Sequence, residues 1–139
     1  MHNHFTVNDC HIVQLKKIHN RAGNITVIEN NTDIPFAIKR LYYLYDIPGG
    51  ESRGAHAHKN LEQLLVAASG SFDVTLNDGQ NSKTFSLNRP YIGLYLRPGM
   101  WRDIGNFSSG AICLVLASDF YNENDYVRNY QEFLKFKNL

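Results

Sequence analysis

Short segments with β-strand patterns, separated by turn residues, run through most of this chain and limit its fold more than any other feature. Apolar and polar side chains alternate over residues 72–77, and Asn77-Asp78-Gly79 then predicts a tight hairpin turn. Pro98-Gly99 predicts another turn, and residues 111–117 form an apolar strand. Strands at such short spacing predict an all-β antiparallel sandwich or barrel.

The two ends of the chain differ from this middle part. Residues 1–30 contain strand-like segments of low hydrophobicity. In the tail, apolar side chains recur at helical spacing and Asn122 or Asn124 can cap the segment, so we predict a short C-terminal α-helix over residues 122–137. No repeat or linker interrupts the sequence, and its 139 residues suit a single domain over 1–139.

Composition argues against several classes of protein. The net charge is only +1, whereas nucleic acids and membrane surfaces are bound through concentrated basic patches, so we expect neither partner. Cys10 and Cys113 lie outside any metal-binding spacing, and two unpaired thiols fit a reducing compartment. We find no secretion signal and no apolar run that approaches a membrane span, which predicts a cytoplasmic location.

The stretch from Arg53 to Gln63 carries the strongest chemical signal. Because side chains alternate faces along a strand, His56 and His58 point the same way, and Glu62 shares their face if the strand stays regular. Arg53 lies beside a glycine that permits a sharp turn. Two imidazoles and a carboxylate on one face can hold a metal ion or transfer protons.

The spacing around these histidines resembles the first motif of the cupin superfamily, Gly-x5-His-x-His-x3-Glu, beginning at Gly50. In the second cupin motif a histidine completes the metal site, and Arg102 stands at that place after Pro98-Gly99-Met100-Trp101. Arginine offers a cation no lone pair and repels it. We therefore favour acid–base chemistry without a metal and keep a metal-dependent cupin enzyme as the alternative. Nearby arginines would also lower the pKa of both histidines and favour the neutral imidazole that a base requires.

A nucleotide that carries a reactive group fits the remaining residues. Residues 38–47 form an aromatic strand whose odd-numbered face we predict to be core, whereas Arg40 and Tyr42 on the even-numbered face form a candidate wall of the site. Two groups of side chains suit such a ligand, arginines for a diphosphate and aromatic rings for a stacked base: Arg40, Arg53 and Arg102, and Tyr42, Tyr95 and Trp101.

Several stretches together resemble the cupin-fold sugar 3,4-ketoisomerases over nearly the whole chain from about residue 23 to residue 136. They are Ile38 to Tyr43, Arg53 to Lys59 with its His-Ala-His-Lys sequence, Leu61-Glu62-Gln63, Gly93 to Trp101, and Leu116 to Tyr121 with Asp125-Tyr126. The resemblance implies a double-stranded β-helix of the cupin or jelly-roll type, RmlC-like, as in the rhamnose-pathway 3,5-epimerases. It also implies a homodimer that exchanges its N-terminal strands and works without a metal or other cofactor.

The resemblance further implies a substrate and residue roles. The substrate would be a dTDP-linked keto sugar, thymidine diphosphate 4-keto-6-deoxyglucose, whose carbonyl moves from C4 to C3 on the way to 3-amino sugars of bacterial cell-surface polysaccharides such as the O-antigen of lipopolysaccharide. His56 would be the principal base, His58 its partner, and Tyr42 a proton donor or positioning group. Arg53 would contact the diphosphate. The other candidate substrate contacts are Arg40, Lys59, Glu62, Tyr95, Trp101 and Arg102.

Two positions depart from the family pattern. Members usually place Arg directly before Gly in the first loop, whereas the order here is Arg21-Ala22-Gly23, and position 102 is histidine in some members. Two further functions remain open on the sequence. A dTDP-sugar 3,5-epimerase would also remove a proton from C5, and a non-catalytic binding protein would leave the sugar unchanged.

Overall fold

The computed structural model describes residues 3–139 and consists mainly of short β-strands. Residues 1–2 of the predicted domain lie outside this range. The elements follow the chain in this order: a 3-10 turn (Val7–Asp9), β1 (His11–Gln14), β2 (Lys16–Asn20), β3 (Gly23–Val27), β4 (Arg40–Leu44), β5 (Arg53–His58), β6 (Gln63–Ser69), β7 (Phe72–Asn77), β8 (Ser82–Leu87), β9 (Ile92–Leu96), β10 (Trp101–Gly105), β11 (Ile112–Ala117), a second 3-10 turn (Glu123–Asp125), β12 (Tyr126–Val127) and α1 (Tyr130–Phe136).

Most of the strands form two five-stranded antiparallel sheets. One has the order β1-β9-β6-β11-β4 and the other the order β12-β5-β10-β7-β8, so the chain repeatedly crosses from one sheet to the other. Apolar side chains from the facing sides of both sheets, among them Leu65, Phe72, Leu94 and Val115, pack into the main core. The predicted double-stranded β-helix is confirmed.

The β7–β8 hairpin shows how the sequence specifies this architecture. Burial alternates along Phe72–Asn77, as the alternation of apolar and polar residues predicts. At the turn, the Asp78 carboxylate accepts hydrogen bonds from the backbone N–H groups of Gln80 and Asn81. Gly79 has a φ of +97°, a conformation that glycine adopts without steric cost.

The C-terminal helix is shorter than the predicted 122–137 and spans only Tyr130–Phe136. Tyr126 and Val127 instead pair with β5 as a short strand. Asn129 caps the helix by accepting a hydrogen bond from Glu132 N. Strand pairing therefore outweighs the helical periodicity of the preceding residues. No helix within residues 3–139 is both long and apolar enough to cross a membrane.

The outer face of the first sheet carries a second apolar cluster. Tyr95 and Leu116 are buried there beneath a connecting segment that contributes Phe36. The β2–β3 hairpin forms a two-stranded sheet of its own and exposes Ile18 and Ile25. The predicted N-terminal strands are thus present, and their exchange between two subunits stays a prediction.

Candidate active site

A cavity of about 260 Å³ lies between the two sheets. Its walls include Tyr42, Arg53, His56, Gln63, Arg102 and Arg128. Since β4, β5, β6 and β10 all contribute to it, the cavity depends on both sheets being in register. We call it the barrel cavity.

A bulge in β5 sets the direction of its histidines. His56 lies opposite Arg102 of β10, and Gly54 lies opposite Asp103, so Ala55 is the extra residue and has a φ of 57°. After the bulge the regular alternation resumes. The two histidine rings lie edge to face with their centroids 4.9 Å apart, and Ala57 between them packs outward against Phe133 of the helix. The predicted common face of His56 and His58 is confirmed.

His56 is held as a neutral imidazole inside the barrel cavity. Burial lowers its pKa to about 3, and the positive charge of Arg102 and the neighbouring His58 act in the same direction. A hydrogen bond between the ring and the Gly54 backbone has the opposite, smaller effect on the pKa. Nε2 is buried and has no hydrogen-bond partner among the described residues. A neutral ring with a free nitrogen suits a general base at neutral pH.

His58 lies behind His56 and is oriented by Asp125. Its Nδ1 lies 2.9 Å from Oδ2 of Asp125, so the neutral ring donates from Nδ1 and presents Nε2 as an acceptor. Burial lowers the pKa of His58 to about 4, although the hydrogen bond with Asp125 opposes this shift. Asp125 is therefore the carboxylate that orients His58.

The prediction that Glu62 shares the histidine face is wrong. The residues between β5 and β6 cross from one sheet to the other, so the two-residue period does not continue from His58 to Glu62. The Glu62 carboxylate instead accepts a hydrogen bond from the Tyr95 hydroxyl. Tyr95 belongs to the outer apolar cluster, where Phe36 stacks on it. Neither residue reaches the barrel cavity.

Three other predicted contacts also lie outside the barrel cavity. Trp101 packs against Tyr130 and Phe133 beneath the C-terminal helix. Lys59 is exposed just after β5. Arg40 lines a neighbouring cavity of about 260 Å³, and its guanidinium carbon lies 5.3 Å from the centroid of the Tyr42 ring.

Tyr42, Gln63 and Arg102 form a hydrogen-bonded chain within the barrel. Arg102 Nη1 donates to Oε1 of Gln63, and Nε2 of Gln63 donates to the Tyr42 hydroxyl oxygen at 3.1 Å. A second donation, from Nη2 of Arg102 to the carbonyl of Met100, has a length of 3.3 Å. Burial raises the pKa of Tyr42, so the phenol keeps its proton at neutral pH.

Sequence reasoning missed Gln63, and it missed Tyr126 and Arg128 near the histidines. Gln63 lies on the same face of β6 as Leu65, two residues further along, and this alternation could have identified it as a cavity residue. The Tyr126 ring centroid lies 5.1 Å from that of His56 and 4.3 Å from that of His58. The guanidinium of Arg128 lies over Tyr126 and pairs with Glu123, whose carboxylate is 2.7 Å away. Because we predicted a helix over this region, Tyr126 and Arg128 were not expected near the histidines.

The donor set of the barrel cavity does not suit a metal ion. Within residues 3–139, no group of three or more His, Cys, Asp or Glu side chains is arranged to bind one. Arg102 lies opposite His56 and contributes a positive charge where a ligand would be needed. The expected independence from metals and other cofactors stays a prediction.

These residues can transfer a proton beside an anionic ligand. His56 offers a neutral base, Tyr42 offers a protonated phenol, and Arg53, Arg102 and Arg128 surround them with positive charge. Such a combination can remove a proton next to a carbonyl group and stabilise the negative charge that forms on oxygen.

Comparison with known proteins gives consistent matches over nearly the whole chain. The family model described as FdtA, WxcM-like, C-terminal, matches residues 8–138. A TDP-4-oxo-6-deoxy-alpha-D-glucose-3,4-oxoisomerase from Aneurinibacillus thermoaerophilus is 46% identical over 125 residues, which are 90% of each chain. The crystal structure of a 3,4-ketoisomerase from Helicobacter canadensis has a TM-score of 0.91 and 52% identity, covering 94% of this chain and 98% of that one. WlaRB, a TDP-quinovose 3,4-ketoisomerase from Campylobacter jejuni, has a TM-score of 0.87 and 54% identity, covering 91% and 98%.

Proposed function

Because the chain belongs to the FdtA (WxcM-like, C-terminal) family, we propose that it is a 3,4-ketoisomerase of thymidine diphosphate 4-keto-6-deoxyglucose. The relative that shares 46% identity over 90% of both chains is named for this reaction. The observation that carries the proposal is the neutral His56 ring, whose free Nε2 shares one cavity with the protonated Tyr42 phenol. The protein is thus an isomerase that interconverts two keto sugars.

The reaction needs one carbon-bound proton to move from C3 to C4. His56 removes the C3 proton, and an enediol forms as charge develops on the C4 oxygen. Tyr42 donates to this oxygen, and Arg102 stabilises the negative charge through its buried guanidinium. His56 then returns the proton to C4. His58, fixed by Asp125, supports the His56 ring from behind and accepts no second proton at neutral pH, because its own pKa is about 4.

The nucleotide diphosphate binds at the mouth of the barrel cavity. Arg53 is exposed there and Arg128 lines the same cavity, so both can offer paired N–H donors to phosphate oxygens. Arg128 is already oriented by its contacts with Tyr126 and Glu123. With the diphosphate held by these two arginines at the mouth, the sugar extends into the cavity toward His56.

Proton NMR of the keto sugar with the enzyme in heavy water tests this function. We expect deuterium to replace hydrogen at the carbon positions that exchange through the enediol, with a 3-keto product and with C5 unlabelled. His56→Asn should bind the nucleotide normally while losing roughly 10² or more in turnover. Label at C5 would identify a 3,5-epimerase. Turnover that tracked added iron, zinc or manganese would identify a metal-dependent enzyme instead.

The protein also acts as a homodimer under this proposal. The outer face of the first sheet exposes Leu41 and Tyr43 next to the buried outer cluster. The β2–β3 hairpin exposes Ile18 and Ile25 and does not pair with either five-stranded sheet. Apolar surface of this kind supports an interface in which each subunit's N-terminal strands cover its partner.

The enzyme works in the cytoplasm and supplies 3-keto sugars for the 3-amino sugars of surface polysaccharides such as O-antigen. Its two free cysteines, Cys10 and Cys113, are consistent with a reducing compartment. Loss of the gene should remove 3-amino-6-deoxy sugars from the cell-surface polysaccharide. An unchanged polysaccharide composition would contradict this role.

A further inference from the structure

The Gln63 side chain connects the buried guanidinium of Arg102 with the phenol of Tyr42. Gln63 is 1% exposed and Arg102 is 2% exposed, and both line the barrel cavity with Tyr42. The Arg102 charge is compensated by no carboxylate within ion-pair distance among residues 3–139. Among these residues its guanidinium makes two hydrogen bonds, one to Gln63 and one to the carbonyl of Met100.

The chemistry of arginine fixes which way the Gln63 amide points. A guanidinium has only N–H donors, so Gln63 can face Arg102 only with its oxygen. The amide nitrogen then faces Tyr42 and donates to the phenolic oxygen at 3.1 Å. Among residues 3–139, Gln63 is the side chain that hydrogen-bonds to the Tyr42 hydroxyl, and the phenolic oxygen is the acceptor in this bond. The phenol proton remains free for a ligand in the cavity.

Building on the proposed ketoisomerase function, we propose that Gln63, held by Arg102, is a positioning residue that keeps Tyr42 a proton donor to the substrate. As His56 takes the C3 proton, Tyr42 gives its proton to the C4 oxygen and the enediol forms. The C3 hydroxyl then returns a proton to the Tyr42 phenolate as the C3 carbonyl forms, and His56 delivers its proton to C4. Both residues end the cycle in their starting state, so no co-reactant is needed.

Two substitutions at position 63 separate this role from simple packing. In Gln63→Glu the carboxylate pairs with Arg102 and its other oxygen accepts the Tyr42 proton, which removes the donor from the cavity. In Gln63→Met the phenol loses its fixed orientation but keeps its proton, while Arg102 loses a partner. We expect kcat to fall in the order wild type, Met, Glu, with roughly a 10- to 100-fold loss for Glu and a KM within about threefold. Thermal stability should follow the opposite order for the two variants, with Met below Glu.

A double-mutant cycle with Tyr42→Phe tests whether Gln63 acts through the phenol. Without the hydroxyl, Gln63→Glu should change the rate of deuterium uptake at C3 less than about twofold. Gln80→Glu is the matched control, because Gln80 is exposed and gains the same charge away from the cavity.

Each outcome decides the inference. A Gln63→Glu enzyme with kcat within about threefold of wild type would overturn it, as would a full loss that persists in the Tyr42→Phe background. If the Tyr42→Phe enzyme is too slow to measure, the opposite orders of kcat and thermal stability at position 63 decide instead. Absence of exchange and of a 3-keto product with the wild-type enzyme would overturn the proposed function itself, whereas normal wild-type turnover with an active Gln63→Glu variant would overturn only the role of Gln63.

Discussion

His56 is a histidine whose proton affinity has been lowered far below that of a solvated imidazole. Burial, Arg102 and His58 together bring its pKa to about 3, whereas an unperturbed histidine has a pKa near 6.5. A base is active when it is deprotonated, so activity that depends on His56 is present above its pKa and lost as the pH falls through it. We expect kcat/KM to stay nearly constant from about pH 7 to about pH 5. Initial rates across this range, each checked for recovery at pH 7, measure it, and an acid limb near pH 6.5 would show that the base is a solvated group.

Arg53 lies at the cavity mouth, where a charged hydrogen bond to the diphosphate is expected. Arg53→Ala should weaken binding of thymidine diphosphate by roughly 10-fold or more, the range for a charged hydrogen bond. Calorimetric titration with the nucleotide measures the change. Arg89→Ala is a suitable control, because Arg89 is exposed and does not line the barrel cavity. An equal loss for both variants would mean that net charge alone governs the affinity.

Among the elements, β5 is the one on which the site depends most. Its bulge requires Gly54 at a φ of +99°, and a Cβ there would lie 2.9 Å from the carbonyl oxygen of Arg102. Gly54→Ala should therefore lower both the thermal stability and turnover, since the strand must move away from β10 and take His56 with it. Gly110→Ala separates the two causes: it has a φ of +75° but open space around the new Cβ. Gly110→Ala should lose stability without losing turnover, and an active Gly54→Ala enzyme would show that the bulge does not position His56.

The sequence predicted elements well where one period continues and poorly where the chain changes sheet. Alternation within β5 placed His56 and His58 together, but it failed for Glu62 because the chain crosses between sheets after His58. Helical spacing in the tail was genuine only for Tyr130–Phe136, since Tyr126 and Val127 gain more from pairing with β5. Asp125 could not have been assigned to His58 from the sequence, because the two residues are 67 positions apart and meet only in the fold.

At the scale of the whole molecule, the apolar outer surface of β4 favours formation of the proposed dimer. The odd-numbered residues that we expected in the core, Leu41 and Tyr43, are each 54% exposed. Leu41→Asp would place one carboxylate from each subunit in the proposed interface and should weaken the dimer by about two orders of magnitude in Kd. Light scattering after size exclusion measures the mass, with Leu139→Asp as a control because Leu139 is 52% exposed beside the β7–β8 turn. A wild-type monomer at micromolar concentration would contradict the proposed dimer.

Neighbouring residues on the two sides of β4 serve different functions. Tyr42 lies opposite Val115 and faces the barrel, while Tyr43 lies opposite Leu114 and faces outward. A single inserted or deleted residue within this strand would exchange the two sides, so catalysis and assembly would fail in one step. The turn at 29–33 lies outside the strands, so we expect a change in its length to leave that register unaltered. Homologous chains should therefore differ in length before β4 and almost never within it.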